Sequence, residues 1–489
     1  MSTGAIREGW VARIRWPENL RTPFHITMTA AAALVLLLLG YEAILSLRSV
    51  KYLSALIVVG LVSAIFLILP RKFNFFLYAA GLTMPYYVQV ILLDRDRTTL
   101  SVSGTSLVII VMVIIGFANG ALDKSRINFE PRITIPFFLF LCACLLSLVN
   151  TTDRTISLVS LVQETEMLLI FLVLINAIHD EPNAIIFLRG LYMGFAIQCV
   201  IYVMQNMLGY SFDIVGNTRW GGFTDAEAGT VASQRGTFGN APATAALYFS
   251  LMTLSLIGLH LSRRKLSVRL APGVGMMMGL CCLVLSTKRS PMAGIVLALM
   301  VMLVLLLRHD PGALRKLYKV LVGLAIAFLL CLPVFLIRVS ADHEAAFEER
   351  ANLTRVAWNM YHAHPVLGVG FGTYDTVKRS YLPPDWKGWL YTVHTRYLLI
   401  LAETGAVGFT ALIILYLMVL WVAYKGIRRI APGLRPLQIS LVAGIVATYW
   451  EQVWDVFDSR QQSYLYWFLA ALAVALPRSL PASNAREVA

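Results

Sequence analysis

RVAWNMYHAHPVLGVGFGTY at residues 355–374 and VHTRYLLILAETGAVG at residues 393–408 bracket a polar insert, and long apolar runs lie on either side of the whole stretch. In a chain this apolar, such an insert must sit in water beside a bilayer. Three of the chain's eight histidines, His362, His364 and His394, fall in the stretch. His394 opens the next apolar run. For a helix starting there, Gly405 and Gly408 follow at eleven and fourteen residues. At about 100° per residue both fall within roughly 40° of the histidine's face. An ionisable group then tops a helical face with two gaps lower down, of the kind that lets another helix or a lipid chain approach.

The composition excludes a soluble protein. Of 489 residues 58% are hydrophobic and 14% charged, and the mean hydropathy is +0.71; soluble domains carry roughly 25% charged residues. The first 24 residues are polar and basic, and the apolar run after them has no small-residue cleavage pattern, so no signal peptide is read. Six cysteines (Cys142, Cys144, Cys199, Cys281, Cys282, Cys331) sit inside apolar runs, which reads as packing rather than a disulfide framework or a thiolate metal site.

Apolar runs of about 17–25 residues predict an all-α polytopic membrane protein of about 14 transmembrane helices, with a range of 12–14. The runs are 26–47, 52–70, 73–93, 104–121, 133–150, 156–178, 184–208, 240–261, 270–286, 291–308, 317–338, 393–424, 437–456 and 463–477. With the N-terminus in the cytoplasm, the inside segments carry 23 Lys and Arg and the short outside loops carry 8. That asymmetry places both ends inside. The expected organisation is a cytoplasmic segment (1–24), an N-terminal bundle (25–208), a periplasmic loop (209–239), central helices with arginine segments (240–338), a large partly helical periplasmic loop (339–392), C-terminal helices (393–477) and a cytoplasmic tail (478–489). The net charge of +14 is then mostly anchoring beside anionic headgroups of membrane lipids, not a nucleic-acid surface. Within the large loop, residues 343–363 read as an amphipathic helix with Phe347, Ala351, Trp358 and Tyr361 on or near one face, ended by Pro365 and the glycines 368, 370 and 372.

Polar residues inside spans are functional candidates. Glu42, Gln163, Glu164, Glu166, Gln205, Glu451 and Asp455 cluster in the outer half of their spans or at its rim, with Arg189 the main exception. Two readings stand: the groups pair with each other to fix helix packing, or they line a cavity opening outwards. A second convergence involves the runs at 240, 291 and 393. Each begins at the outer surface and follows basic residues: Arg235; Lys288 and Arg289; His394 with Arg396. Asn240 and Ser290 read as N-caps, with Pro242 and Pro291 in the first turn. Helix N-termini with arginines favour a phosphate or pyrophosphate, whose geometry a guanidinium matches; ordinary anchoring of helix ends is the alternative. Gly368-x-Gly370-x-Gly372 lacks the strand–loop–helix setting of a phosphate loop and reads as a turn. His362 and His364 have no Cys or acidic neighbour, so neither metal nor cofactor is expected.

The stretch before His394 resembles the corresponding block of the O-antigen ligase and O-antigen polymerase superfamily of bacterial membrane glycosyltransferases. HTRYLLILAETGAVG at 394–408 resembles the ligases' pattern of His, a small polar residue, nine residues and Gly-x-x-Gly, with Thr395 where the ligases carry Asn, Ser or Gln. RGTFGNAPATAALYF at 235–249 and LSTKRSPMAG at 285–294 resemble the family's two arginine segments. The resemblance spans about 225–425. It implies a metal-independent transferase in the inner membrane with its site facing the periplasm, and a glycan on undecaprenyl pyrophosphate as donor. The acceptor would be a lipid A–core sugar for a ligase, or a carrier-linked repeat unit for an O-antigen or exopolysaccharide polymerase. It further implies His394 as general base, a task that suits an imidazole near pH 6.5, with Arg289 and Arg235 neutralising the departing pyrophosphate. Lys288, Arg219, Arg355, Arg396, Glu164 and Glu166 are further substrate-binding candidates, and Gly405 and Gly408 structural ones. A lipid-linked glycan flippase or secondary transporter is the competing class; no internal repeat of the kind transporters show is visible.

Overall fold

A computed structural model describes residues 72–86, 89–95, 98–118, 120, 122, 127–208, 212–214, 218–220, 236–238, 242–262, 272–339, 344–386, 390–456 and 459–481. The first two expected spans, Glu42, Arg235, Asn240 and the terminal segments lie outside these residues. Everything below concerns the unit formed by 71–489.

The expected spans from residue 104 onward each overlap a helix: α2 (Gly104–Ala118), α3 (Pro131–Ser147), α4 (Arg154–Ala177), α5 (Glu181–Leu208), α6 (Pro242–Leu261), α7 (Pro272–Leu285), α8 (Arg289–His309), α9 (Leu314–Val339), α12 (Arg396–Arg429), α13 (Arg435–Trp454) and α14 (Arg460–Ser479). By length and composition, six described helices are long and apolar enough to cross a membrane, at 131–150, 154–177, 181–206, 243–261, 289–309 and 396–429. The fold is therefore all-α and polytopic.

The run at 73–93 is a correction. Its helix, α1 (Lys72–Thr83), is only twelve residues long. Pro85 disfavours helical backbone before it and offers no N–H. The chain continues as an antiparallel hairpin, β1 (Gln89–Arg95) and β2 (Thr98–Ser103). A second hairpin, β3 (Phe212–Ile214) with β4 (Thr218–Trp220), lies in the first long loop. The large loop contains α10 (Glu344–Ala363) and the single turn α11 (Tyr374–Val377).

Burial separates centre from rim. In α6, 94% of the apolar window is buried, against 33% in α3 and in α8. Along α14 nearly every side chain from Tyr464 to Pro477 is buried, as expected of a helix that is apolar all round. Helices α6, α13 and α14 form the centre, and α3, α4, α8 and α12 turn part of their surface outward. One end of the bundle gathers the C-termini of α3 and α13 with the N-termini of α4, α6, α8, α12 and α14. At the other end Arg478 pairs with Glu130, Arg435 donates to the His309 carbonyl at 3.3 Å and Ala431 N donates to the Leu480 carbonyl at 2.9 Å.

In α10 the face that packs on the protein is Leu353, Val356, Ala357 and Met360. Ala351 and Trp358, expected to share the apolar face, point outward. Trp358 stacks on His362, ring planes 29° apart, while His364 meets Tyr381 edge-on. The two histidines thus face different aromatic partners.

Candidate functional site

Helix α12 does not run straight from His394 through Gly408. Thr395 is the N-cap, so His394 lies one residue outside the helix, half-buried. At Gly405 the backbone leaves the helix, with φ 63° and ψ −166°. A face projected from residue 394 to 405 and 408 therefore loses its phase at the break. The gaps are not open to a second helix or a lipid. The backbone of the strap Pro365–Gly372 fills the one at Gly405, and the Thr404 side chain fills the one at Gly408.

The hydrogen bonds of that insertion account for the broken helix. Ala406 N donates to the Pro365 carbonyl at 2.9 Å and Val407 N to the Val366 carbonyl at 3.3 Å. In return Val369 N donates to the Ala402 carbonyl at 3.0 Å and Gly370 N to the Glu403 carbonyl at 2.9 Å. Groups the helix releases are thus paired again inside protein, the condition for irregular backbone in a membrane protein. A Cβ at Gly405 would land on the Val366 carbonyl, and one at Gly368 on Glu403 backbone. Gly408 instead leaves room for the Thr404 side chain of its own helix. The strap is also held from the end of α3 and the turn after it, by Ser147 Oγ accepting from Phe371 N at 2.9 Å and by Asn150 Nδ2 donating to the Gly368 carbonyl at 2.8 Å.

Gly405→Ala is expected to destabilise the protein by about 1–3 kcal/mol from the left-handed backbone alone, with displacement of the strap added to that. Melting in detergent and protease cleavage near residue 366 measure it; a wild-type melting temperature would show that the break is not required.

The N-terminal turns of α8 and α12 meet the last turn of α13. On α8, Ser290 Oγ donates to Glu451 Oε2 at 2.5 Å. On α12, Thr395 Oγ1 donates to the Gln452 carbonyl at 3.3 Å, and Arg396 N donates to the Asp455 carbonyl at 3.1 Å. The last bond satisfies an N–H that a helix start leaves unpaired. From α14, Gln462 Nε2 donates to Asp455 Oδ2 at 2.6 Å. The N-cap of α14, Ser459, meets Thr244 at the start of α6, Oγ1 to Oγ 3.1 Å. Four of the five helix N-termini at this end of the bundle, those of α6, α8, α12 and α14, are thus linked around Glu451–Asp455.

The caps differ from the expected ones. The N-cap of α8 is Lys288 and its first residue is Arg289; Ser290 lies inside the helix, its hydroxyl drawn to Glu451. Thr287, just before, has a left-handed φ of 56°. Burial pulls the Lys288 ammonium below the ordinary lysine range, opposed by Asp455 and reinforced by Arg350. Arg289 is exposed.

Of the further candidates, Arg396 pairs with Glu164 of α4, their side chains 12% and 15% exposed. Arg460 pairs with Glu166 at 2.9 Å, and Glu166 also accepts from Tyr464 Oη at 3.0 Å. Both arginines are first residues of helices, where a positive charge opposes the macrodipole; the two glutamates compensate. Arg355, exposed on α10, makes two 3.0 Å hydrogen bonds to Asp385. Arg219 lies in β4, opposite Asp213. Among the described residues no group of three metal-ligating side chains occurs.

Sequence reasoning missed three features. Glu403 is a buried acid inside an apolar run, flagged by the same rule that picked Glu164. Arg460, which by sequence is one more basic residue of a short loop, is half of an ion pair with Glu166. Asp375, Lys378 and Thr392, which form one hydrogen-bonded group, carry no spacing signal.

The geometry defines a multi-pass all-α membrane protein with a polar end where helix N-termini gather. Residues 274–413 match the family model described as O-Antigen ligase, a segment holding α7, α8, the strap, His394 and the break in α12. No curated protein matches the chain. The match supports the O-antigen ligase and O-antigen polymerase superfamily for this chain, and with it a glycosyltransferase-type enzyme working on lipid-linked glycans.

Proposed function

We propose that this protein is an O-antigen ligase-like glycosyltransferase of the bacterial inner membrane, working at the periplasmic face. The acceptor hydroxyl of a lipid A–core sugar attacks the anomeric carbon of a glycan on undecaprenyl pyrophosphate. The bond from that carbon to the phosphate oxygen breaks, His394 takes the hydroxyl proton, and the carrier leaves as undecaprenyl pyrophosphate. Arg289 and Arg235, with Lys288, meet the charge of the leaving group. Such fixed positive groups act where charge develops. The observation that carries this reading is the meeting of the N-terminal turns of α8 and α12 on one turn of α13, both turns lying within the matched domain. Basic residues concentrated on the other set of loops support the outward orientation.

The second reading is a polymerase joining carrier-linked repeat units; Thr395, where the ligases carry Asn, Ser or Gln, weakens the ligase reading against it. Purified protein supplied with the carrier-linked glycan and lipid A–core is expected to give glycosylated core and free carrier pyrophosphate in equal amounts. Product only when a second carrier-linked unit replaces the core would select the polymerase. Donor left intact with either acceptor would sink both and return the flippase class. Arg350→Cys in intact spheroplasts is expected to react with an impermeant maleimide; labelling only after lysis would reverse the orientation.

A further inference from the structure

We infer that Asp375 and Glu403 are positioning residues that hold the approach to His394 through Thr392. The inference rests on His394 acting as the general base proposed above.

Residues 392–394 precede the N-cap of α12, so no helical ladder holds them. A closed circuit of hydrogen bonds does. Thr392 Oγ1 lies 2.9 Å from each carboxylate oxygen of Asp375. The charge of Asp375 is met by Lys378 Nζ at 2.5 Å, a lysine side chain only 5% exposed. A buried ammonium left without its carboxylate is costly, which keeps that pair together. One residue before Asp375, Tyr374 N donates to Glu403 Oε1 at 3.0 Å. Glu403 belongs to α12 itself, on the last turn before the break at Gly405. The lead-in is therefore tied to its own helix twice: directly along the chain, and through Thr392, Asp375, Tyr374 and Glu403.

Packing closes the circuit from below. Val393 is buried in one cluster with Tyr374, Leu399 and Ala402. His394 follows a residue pinned by hydrogen bonds and a residue pinned by packing, and precedes a residue whose hydroxyl is bonded to α13. A base so placed can be fixed to a fraction of an ångström, and misplacement by about 1 Å costs on the order of 10²-fold in rate. Asp375 and Glu403 act on the reaction only through the backbone at 392–394.

Thr392→Val keeps the shape of the side chain and removes the hydroxyl. It is expected to melt like wild type, to bind the carrier-linked donor normally and to turn over about 10-fold more slowly. Thr392→Ser, which restores the hydroxyl, is expected to recover most of that loss. In a His394→Ala background Thr392→Val is expected to cost nothing further. Wild-type turnover for Thr392→Val, or an undiminished further loss in the His394→Ala background, would overturn the positioning role while leaving the general base in place. A His394→Ala variant with wild-type turnover would instead overturn the general base itself, and this role with it.

Discussion

Arg289→Ala is expected to lose at least about 10²–10³-fold in turnover, the range for removing one preorganised group that stabilises developing charge. The protein should still insert and fold. Arg289 is exposed, so its removal opens no core. The turn that carries it is fixed by another group, Ser290 on Glu451. In the proposed role, a first-turn guanidinium that meets the leaving group would add its charge to the positive dipole end of α8. Arg289→Lys keeps the charge and loses the planar fork that meets two phosphate oxygens. It should therefore recover only a small part of the activity. Turnover of a carrier-linked donor, measured beside the yield of folded protein, tests both variants. Near-normal turnover in both would make Arg289 an interfacial anchor.

Much of the fold was legible because apolar run length is set by bilayer thickness. Helices α2 to α9 and α12 to α14 each overlap a run that composition alone marks. The exception, 73–93, fails where a run contains a helix breaker: Pro85 ends α1, and the apolar residues beyond it pair as β1. Local rules also misplaced the start of α8. Ser290 has the chemistry of a cap, but its hydroxyl finds a carboxylate 161 residues away, and the cap passes to Lys288.

The site was legible in its residues and not in its arrangement. That Arg289 and His394 lie on helix starts can be read from where the apolar runs begin. That both starts rest on one turn of α13 depends on helix order, which no period encodes. The intramembrane acids gave two readings, and for Glu164 and Glu166 the structure shows pairing with Arg396 and Arg460. The face drawn through His394, Gly405 and Gly408 assumed an unbroken helix. Its two glycines instead serve the strap and Thr404. The partners that make the break tolerable, Pro365 and Val366, come from some forty residues earlier. Short-range spacing therefore shows the glycines but not what they accommodate.

His394 has the second large expected effect. It stands outside the helix, half-buried, next to an N-cap bonded to α13. A general base must be neutral to accept a proton. Turnover should therefore be low where the imidazole is protonated, rise with pH through its pKa, and level off above it. General-base catalysis is worth about 10²–10⁴-fold, so His394→Ala should lose roughly that much turnover and the rising limb of the pH profile with it. Donor binding should change far less, because the pyrophosphate is met by arginines. The alternative role is structural: His394 would hydrogen-bond a neighbouring group and hold residues 390–395 in place. His394→Gln separates the two, since glutamine supplies a donor and an acceptor and cannot take up a proton in this pH range. As a general base, His394→Gln should be as slow as His394→Ala and equally flat with pH, at normal donor affinity. A glutamine variant with near-wild-type turnover would remove the general-base role and leave the superfamily assignment, which rests on residues 274–413 as a whole, untouched.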